Sequence, residues 1–250
     1  MGKYLLAFSV IFLLTGFSES FNNDSTSPSI LLNKIEIFNG SISGTVAIPD
    51  QNTSTRRFRG SSYRSRGSSS TNDSNEGNEE SKYKNTIVSA HPLSFSLGDK
   101  MVGNPASIEQ INATFIPNVT PVTIGSVVQF VNDDPFYHNV FSLTPGSKFN
   151  IGRRETGDVY TKQIEAPKWK VTGVGPITLF CDIHSQMKAT ILSLDTIYYT
   201  RLNDDGSYQL DDLPEGDYEI RVFSPGFDII SKPITIKSSE NIESNFNLVN

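Results

Sequence analysis

Between residues 108 and 194 the chain alternates apolar and polar residues in short runs, at 108–115, 119–123, 126–130, 140–143, 159–164, 177–180 and 189–194. A period of two is the pattern of a strand half-buried in a sheet, and none of these runs has the 3.6-residue spacing of an amphipathic helix. Turn-forming residues separate them: Gly125, Asn132-Asp133-Asp134-Pro135, Pro145-Gly146, Gly157 and Gly173. Short strands joined by polar turns predict a β-sandwich over 105–195.

A second set of strands flanks this region. Downstream, over 196–250, the turns Asn203-Asp204-Asp205-Gly206 and Leu213-Pro214-Glu215-Gly216 bracket strands at Tyr208-Gln209-Leu210 and Tyr218-Glu219-Ile220-Arg221-Val222, and apolar runs follow at 229–236 and 246–249. Upstream, Ile35, Ile37, Ile42 and Val46 alternate around Asn39-Gly40, which reads as a turn within 31–50, and Ile87, Val88, Leu93, Phe95 and Leu97 continue the pattern within 86–104. These pieces predict a smaller all-β unit. Residues 51–85 differ in kind, being rich in Ser, Gly, Asn and Arg with only Phe58, Tyr63 and Tyr83 as large apolar groups, too few to offset the entropy of ordering. They read as a disordered loop, basic in its first half and acidic in its second.

Met1 to Ser20 has a lysine, an apolar run at 4–14 and a polar end, the layout of a secretory signal peptide. A flexible segment follows at 21–30. This predicts a periplasmic or secreted protein with no integral membrane segment once the leader is removed, since the apolar run is shorter than the roughly 17 residues that span a bilayer. The net charge of −6 offers no basic field to a phosphate backbone, so nucleic acid is not an expected partner. Six Asn-x-Ser/Thr sequons, at Asn23, Asn39, Asn52, Asn72, Asn112 and Asn118, follow from composition as readily as from glycosylation.

Cys181 is the one cysteine, so the chain has no internal disulfide, and an exported free thiol is open to oxidation unless something binds it. It lies in Phe180-Cys181-Asp182-Ile183-His184-Ser185-Gln186-Met187. With three His and three Met in 250 residues, Cys-x2-His-x2-Met arises by chance at a given cysteine roughly once in seven thousand. Thiolate, imidazole and thioether form the soft donor set that selects copper over magnesium, calcium or manganese. A trigonal His2Cys site with a weak axial Met needs a second histidine. His138 is the candidate, because it follows the strand and turn at 127–137, whereas His91 precedes the sandwich and reads as a packing or surface residue. Asn139, beside His138, is placed to tie the two ligand-bearing loops together by side-chain hydrogen bonds. Phe136, Tyr137, Phe141, Phe149 and Phe180 are the apolar neighbours expected to keep water off the metal.

Two segments carry a family resemblance. Gly125 to Asn132, His138-Asn139-Val140 and Phe180 to Met187 resemble the cupredoxins, and the short His-to-Met loop is most similar to that of amicyanin, although Ile183 stands where a Pro commonly precedes the second His. The resemblance implies a Greek-key β-sandwich holding type 1 copper at His138, Cys181, His184 and Met187, with His184 near an apolar surface through which electrons leave. The tail, from Thr200 through Ser224-Pro225-Gly226-Phe227, resembles the carboxypeptidase-regulatory or transthyretin-like domains, whose opening strands have counterparts at 42–46 and 86–97. The expected fold is therefore all-β, a cupredoxin sandwich plus a smaller transthyretin-like sandwich, with the first inserted into the second or the two in tandem. The overall arrangement resembles cupredoxin-containing methylamine utilisation proteins.

The expected function is a one-electron carrier, not an enzyme, since nothing in the sequence resembles a Ser/His/Asp triad or a phosphate-binding glycine loop. Its redox partner, by the amicyanin resemblance, is a dehydrogenase or a cytochrome c. The alternatives are a copper carrier or storage protein using the same donors, and an interaction protein in which the copper site is vestigial.

Overall fold

The computed structural model describes residues 39–49, 82–98, 103–165 and 174–249. The expected leader at 1–20, the segment at 21–30 and most of the polar loop lie outside the described residues. The strands, in chain order, are β1 Gly40–Ala47, β2 Ile87–Pro92, β3 Ala106–Ile111, β4 Thr114–Ile116, β5 Val119–Thr123, β6 Val127–Asn132, β7 His138–Ser142, β8 Phe149–Arg154, β9 Val159–Gln163, β10 Gly175–Phe180, β11 Lys188–Leu194, β12 Tyr198–Arg201, β13 Ser207–Leu213, β14 Gly216–Phe223, β15 Ile230–Ile236, β16 Asn241–Glu243 and β17 Phe246–Asn247. The protein is all-β.

The middle strands make two sheets, ordered β4-β3-β6-β9 and β5-β11-β10-β7-β8, in which β3 runs parallel to β6 and β5 parallel to β11. Alternation along each strand sends one face inward. Ile108, Phe115, Val128 and Phe130 from the first sheet meet Val122, Val140, Ile177, Leu179 and Ile191 from the second in one buried core, which also contains Cys181 and Met187.

The flanking strands make the other two sheets, β13-β1-β16 with β17 also on β1, and β12-β2-β14-β15. Their shared core is built on Ile42, Val46, Tyr208 and Leu210 from one side and Val88, Ala90, Tyr218, Ile220 and Val222 from the other. In chain order, β3 to β11 fall between β2 and β12, which pair with each other from Ile87↔Arg201 to Ala90↔Tyr198.

The two sandwiches meet along a third apolar cluster, where Val119, Leu192 and Leu194 pack with Ile87, Phe223 and the half-buried Tyr199. Leu192 belongs here because the side chain of its neighbour Ile191 takes the inner face of the same strand. Polar bonds pin the joint. The Thr123 hydroxyl donates to the Thr196 carbonyl (2.9 Å), the Thr196 hydroxyl to the Ala90 carbonyl (2.7 Å), and the Arg201 guanidinium to the Val119 carbonyl (2.5 Å).

Several elements differ from the sequence reading. The single run expected at 108–115 is a hairpin, β3 and β4, turning at Asn112 and Ala113 with φ of 53° and 52°. Both residues lie in the left-handed region, as a two-residue hairpin turn requires. The alternation does not predict β8, because only Ile151 is buried there and Gly152, at φ 72°, interrupts the pleat. Asn39-Gly40 is not a turn. Gly40 opens β1, and a Cβ there would meet Ile236 Cγ2 at 2.4 Å and the Glu240 carbonyl at 2.8 Å, so close packing rather than turning requires the glycine. Residues 82–85, placed in the polar loop by composition, form a turn in which Tyr83 packs on the smaller sandwich's core.

Candidate metal centre

The loop from β6 into β7 is shaped by its own side chains. Asn132, fully buried, accepts from the Asp134 N–H at 3.0 Å and donates its amide to the carbonyls of Phe136 (2.9 Å) and Arg154 (3.0 Å). Asn and Asp favour such turns because their short side chains bond to backbone nearby. The Thr156 hydroxyl donates to the Asp134 carbonyl at 2.7 Å. His138 then opens β7, paired with Arg154 of β8, and is fully buried.

Across from it, β10 ends at Phe180, and residues 181–187 form the turn into β11. The Met187 N–H closes that turn on the His184 carbonyl at 3.0 Å. Asn139 Oδ1 accepts from the Asp182 N–H at 2.8 Å, a bond that joins the two loops.

Three donor atoms converge between the loops. His138 Nδ1 and His184 Nδ1 lie 3.1 Å apart, and each is 3.9 Å from Cys181 Sγ. Each pair lies within the reach of two bonds to one ion, about 2.0 Å to imidazole nitrogen and about 2.3 Å to thiolate sulfur. The three atoms would therefore be able to hold one ion together, and two imidazoles with a thiolate are donor types that suit copper. Met187 is buried in the same core cluster as Cys181. The donor set and its spacing both fit the ion that the sequence implies.

Asp134 was not among the expected site residues, yet it is the group most closely bound to one of them. Its carboxylate accepts from His138 Nε2 at 2.7 Å, from the Asn112 N–H at 2.6 Å and from the Ala113 N–H at 2.8 Å. Burial works to raise this carboxyl, but the bonds from Ala113, His138 and Asn112 outweigh it and hold the group below the usual carboxylate range. The available signal was an acid four residues before the histidine, inside a turn.

Of the aromatic residues expected around the metal, only Phe136 packs against the two imidazoles, edge-on or tilted, with centroids 5.1 Å from His138 and 5.2 Å from His184. Phe141 and Phe180 face each other at 5.7 Å, Phe149 packs on Phe130, and the Tyr137 hydroxyl donates to Glu155 at 3.3 Å. Phe136, which packs on His184, and Ile183, that histidine's neighbour in the chain, are 41% and 39% exposed, so apolar surface borders the half-buried His184.

His91 lies away from this centre, at the joint between the sandwiches. Its Nδ1 is 2.5 Å from Asp195 Oδ1 and its Nε2 is 2.9 Å from Ser89 Oγ. This is a Ser–His–Asp line that the sequence did not reveal. Ser89 is 3% exposed and sits mid-strand, with β12 on one side and β14 on the other, so a substrate carbonyl has no approach to its hydroxyl. The line serves as a structural pin.

No family model matches the sequence, and no curated protein matches it. Solved structures do. A copper-containing nitrite reductase from Thermus scotoductus is 22% identical over 37% of this chain and 23% of its own length, at a TM-score of 0.33. A purple cupredoxin from Nitrosopumilus maritimus is 21% identical over 36% of this chain and 99% of its own, at 0.30. An oxidised amicyanin carrying a proline-to-glycine substitution is 13% identical over 42% of this chain and 92% of its own, at 0.31.

Proposed function

We propose that this chain would hold one copper ion at His138, Cys181 and His184, with Met187 as a fourth, weaker donor, and pass electrons one at a time. The observation that carries this reading is the donor triangle, whose edges of 3.1, 3.9 and 3.9 Å bring all three atoms within reach of one ion. Bound copper would supply a one-electron couple, and a trigonal soft-donor site accepts both oxidation states with little rearrangement.

The chain's own residues keep that site fixed. Asn139 holds the Cys181 loop by its bond to the Asp182 N–H. Phe136 covers the two imidazoles and limits the entry of water. Phe136 and Ile183 offer a small apolar surface beside His184. A redox protein of the dehydrogenase or cytochrome c type docks on it. Export suits a chain whose single thiol is protected by ligation, and in this reading the smaller, transthyretin-like sandwich carries the copper unit within one compact body.

The test is the visible spectrum of the full chain with one equivalent of Cu(II), beside Cys181→Ala. The expected result is an intense thiolate-to-copper band that bleaches reversibly with reductant and is lost in the variant. A colourless protein, or a weak band indifferent to the substitution, would sink the proposal. Cu(I) that exchanges rapidly with a competing chelator would move the assignment to copper transport.

A further inference from the structure

We propose that Asp134 is a positioning residue for the centre, setting both the tautomer and the heading of His138, and that the hairpin turn at Asn112 and Ala113 holds Asp134 to that task. The inference rests on the copper reading only for what the freed nitrogen is used for.

The argument is one of donors and acceptors. An ionised carboxylate can only accept, so the 2.7 Å contact from His138 Nε2 requires the proton to sit on Nε2. A neutral imidazole has one N–H, and with Nε2 occupied, Nδ1 is left as a lone pair. Nδ1 is the atom that faces Cys181 Sγ and His184 Nδ1. The ring is fully buried, so water cannot replace the carboxylate as acceptor.

Asp134 is in turn fixed from outside its own loop. One oxygen takes the Asn112 N–H, and the other takes both the Ala113 N–H and His138 Nε2. Both turn residues have positive φ. The turn aims two successive N–H groups at the two oxygens of one carboxylate, an arrangement that favours an anion. The turn between β3 and β4, distant in sequence from every ligand, thus orients a ligand through one carboxylate.

The same geometry separates two substitutions. Asp134→Asn can keep its carbonyl oxygen at the shared position, retaining the bonds from Ala113 and His138, while its NH2 faces the Asn112 N–H donor to donor and that turn must give slightly. Asp134→Leu removes every acceptor, leaving a buried Nε2–H without a partner and favouring transfer of the proton to Nδ1, where Cys181 and His184 can accept it.

The experiment is a long-range proton–nitrogen NMR correlation of the imidazoles in the full chain, labelled with nitrogen-15 at histidine and stripped of copper by a chelator. Three histidines keep the spectrum assignable. The expected result is a single His138 tautomer, protonated at Nε2, in the wild type and in Asp134→Asn, and a mixture or the opposite tautomer in Asp134→Leu. A copper titration of the same samples should show a 10- to 100-fold loss of affinity for the Leu variant and much less for the Asn variant. A His138 protonated at Nδ1 in the wild type overturns the proposal without any variant having to fold, and so does a Leu variant with an unchanged spectrum. If the tautomer pattern is as expected but no sample binds copper, the role of Asp134 stands and the copper reading falls.

Discussion

Leu192→Ala tests whether the joint between the two sandwiches is part of the folded core. Leu192 is buried but points away from the core of its own sandwich, and its partners from the other one are Ile87, Phe223 and Tyr199. If the sandwiches moved independently, this side chain would be open to water and its truncation would cost little. In the packed joint, the substitution loses the transfer free energy of the deleted carbons, about 2 kcal/mol, plus a term for the cavity that remains, giving about 3 kcal/mol in all. For a body of this size, each kcal/mol corresponds to roughly 2–4 °C, so the melting temperature should fall by about 6–12 °C.

The assay is scanning calorimetry of the full chain, with urea unfolding as a second measure. Leu143→Ala provides the control, since Leu143 is 64% exposed and its loss should stay within about 0.5 kcal/mol. The copper spectrum should survive Leu192→Ala, because the side chain points to the opposite face of β11 from the core that holds Cys181 and Met187. A Leu192→Ala penalty below about 1 kcal/mol, indistinguishable from the control, would refute the packed joint.

Three further outcomes are expected. The bond from His91 holds the Asp195 carboxyl below its usual range against the raising effect of burial, so the stability this group contributes is present above the ordinary carboxylate range and lost as pH falls through the lowered value. Asp195→Asn should therefore flatten the acid limb of the stability curve below about pH 4, by only about half a kcal/mol because the side chain is partly exposed, and an unchanged limb would count against the pair. Burial pushes the Tyr208 hydroxyl, which donates to the Ser244 carbonyl at 2.6 Å, up to about 12. Its contribution should be intact below the usual tyrosine range near pH 10 and lost as pH rises toward 12, and Tyr208→Phe should remove one late tyrosinate absorbance step while leaving that of Tyr218, which burial raises further still. Asn139→Ala, which cuts the bond between the two loops, should cost about 1–2 kcal/mol and speed copper loss to a chelator, whereas Asn139→Asp, which keeps the acceptor, should recover most of the retention rate.

What could be read from the sequence follows from how far apart the interacting residues are. Strands announce themselves locally, by alternation and turn residues, and Cys181, His184 and Met187 occupy one turn, so their proximity follows from spacing alone. His138 is joined to them across 43 residues, and its choice depended on how few histidines the chain contains. Spacing fails where a residue's partner is remote and its own identity unremarkable. Asn112 and Ala113 look like the interior of a strand, yet they form a turn because Asp134, about 22 residues on, supplies the acceptor for both N–H groups. Ser89 and His91 look like strand filler until Asp195, 104 residues from His91, closes the line. Aromatic composition misleads in the other direction, since Phe141, Phe149 and Phe180 pack elsewhere and only Phe136 reaches the imidazoles.

These misses share a physical cause. A ligand set specifies which ion can bind, but a fixed geometry also requires that each donor be unable to turn, tautomerise or drift before the ion arrives. Those constraints come from hydrogen bonds that no short motif contains: Asp134 on His138, the hairpin turn on Asp134, and Asn139 on the Cys181 loop. A chain that kept Cys181, His138, His184 and Met187 but lost Asp134 would show the same motif and hold a looser site. The binding constants of Asp134→Leu and Asp134→Asn, compared at unchanged ligands, therefore measure how much of the centre lies in the scaffold rather than in the donors.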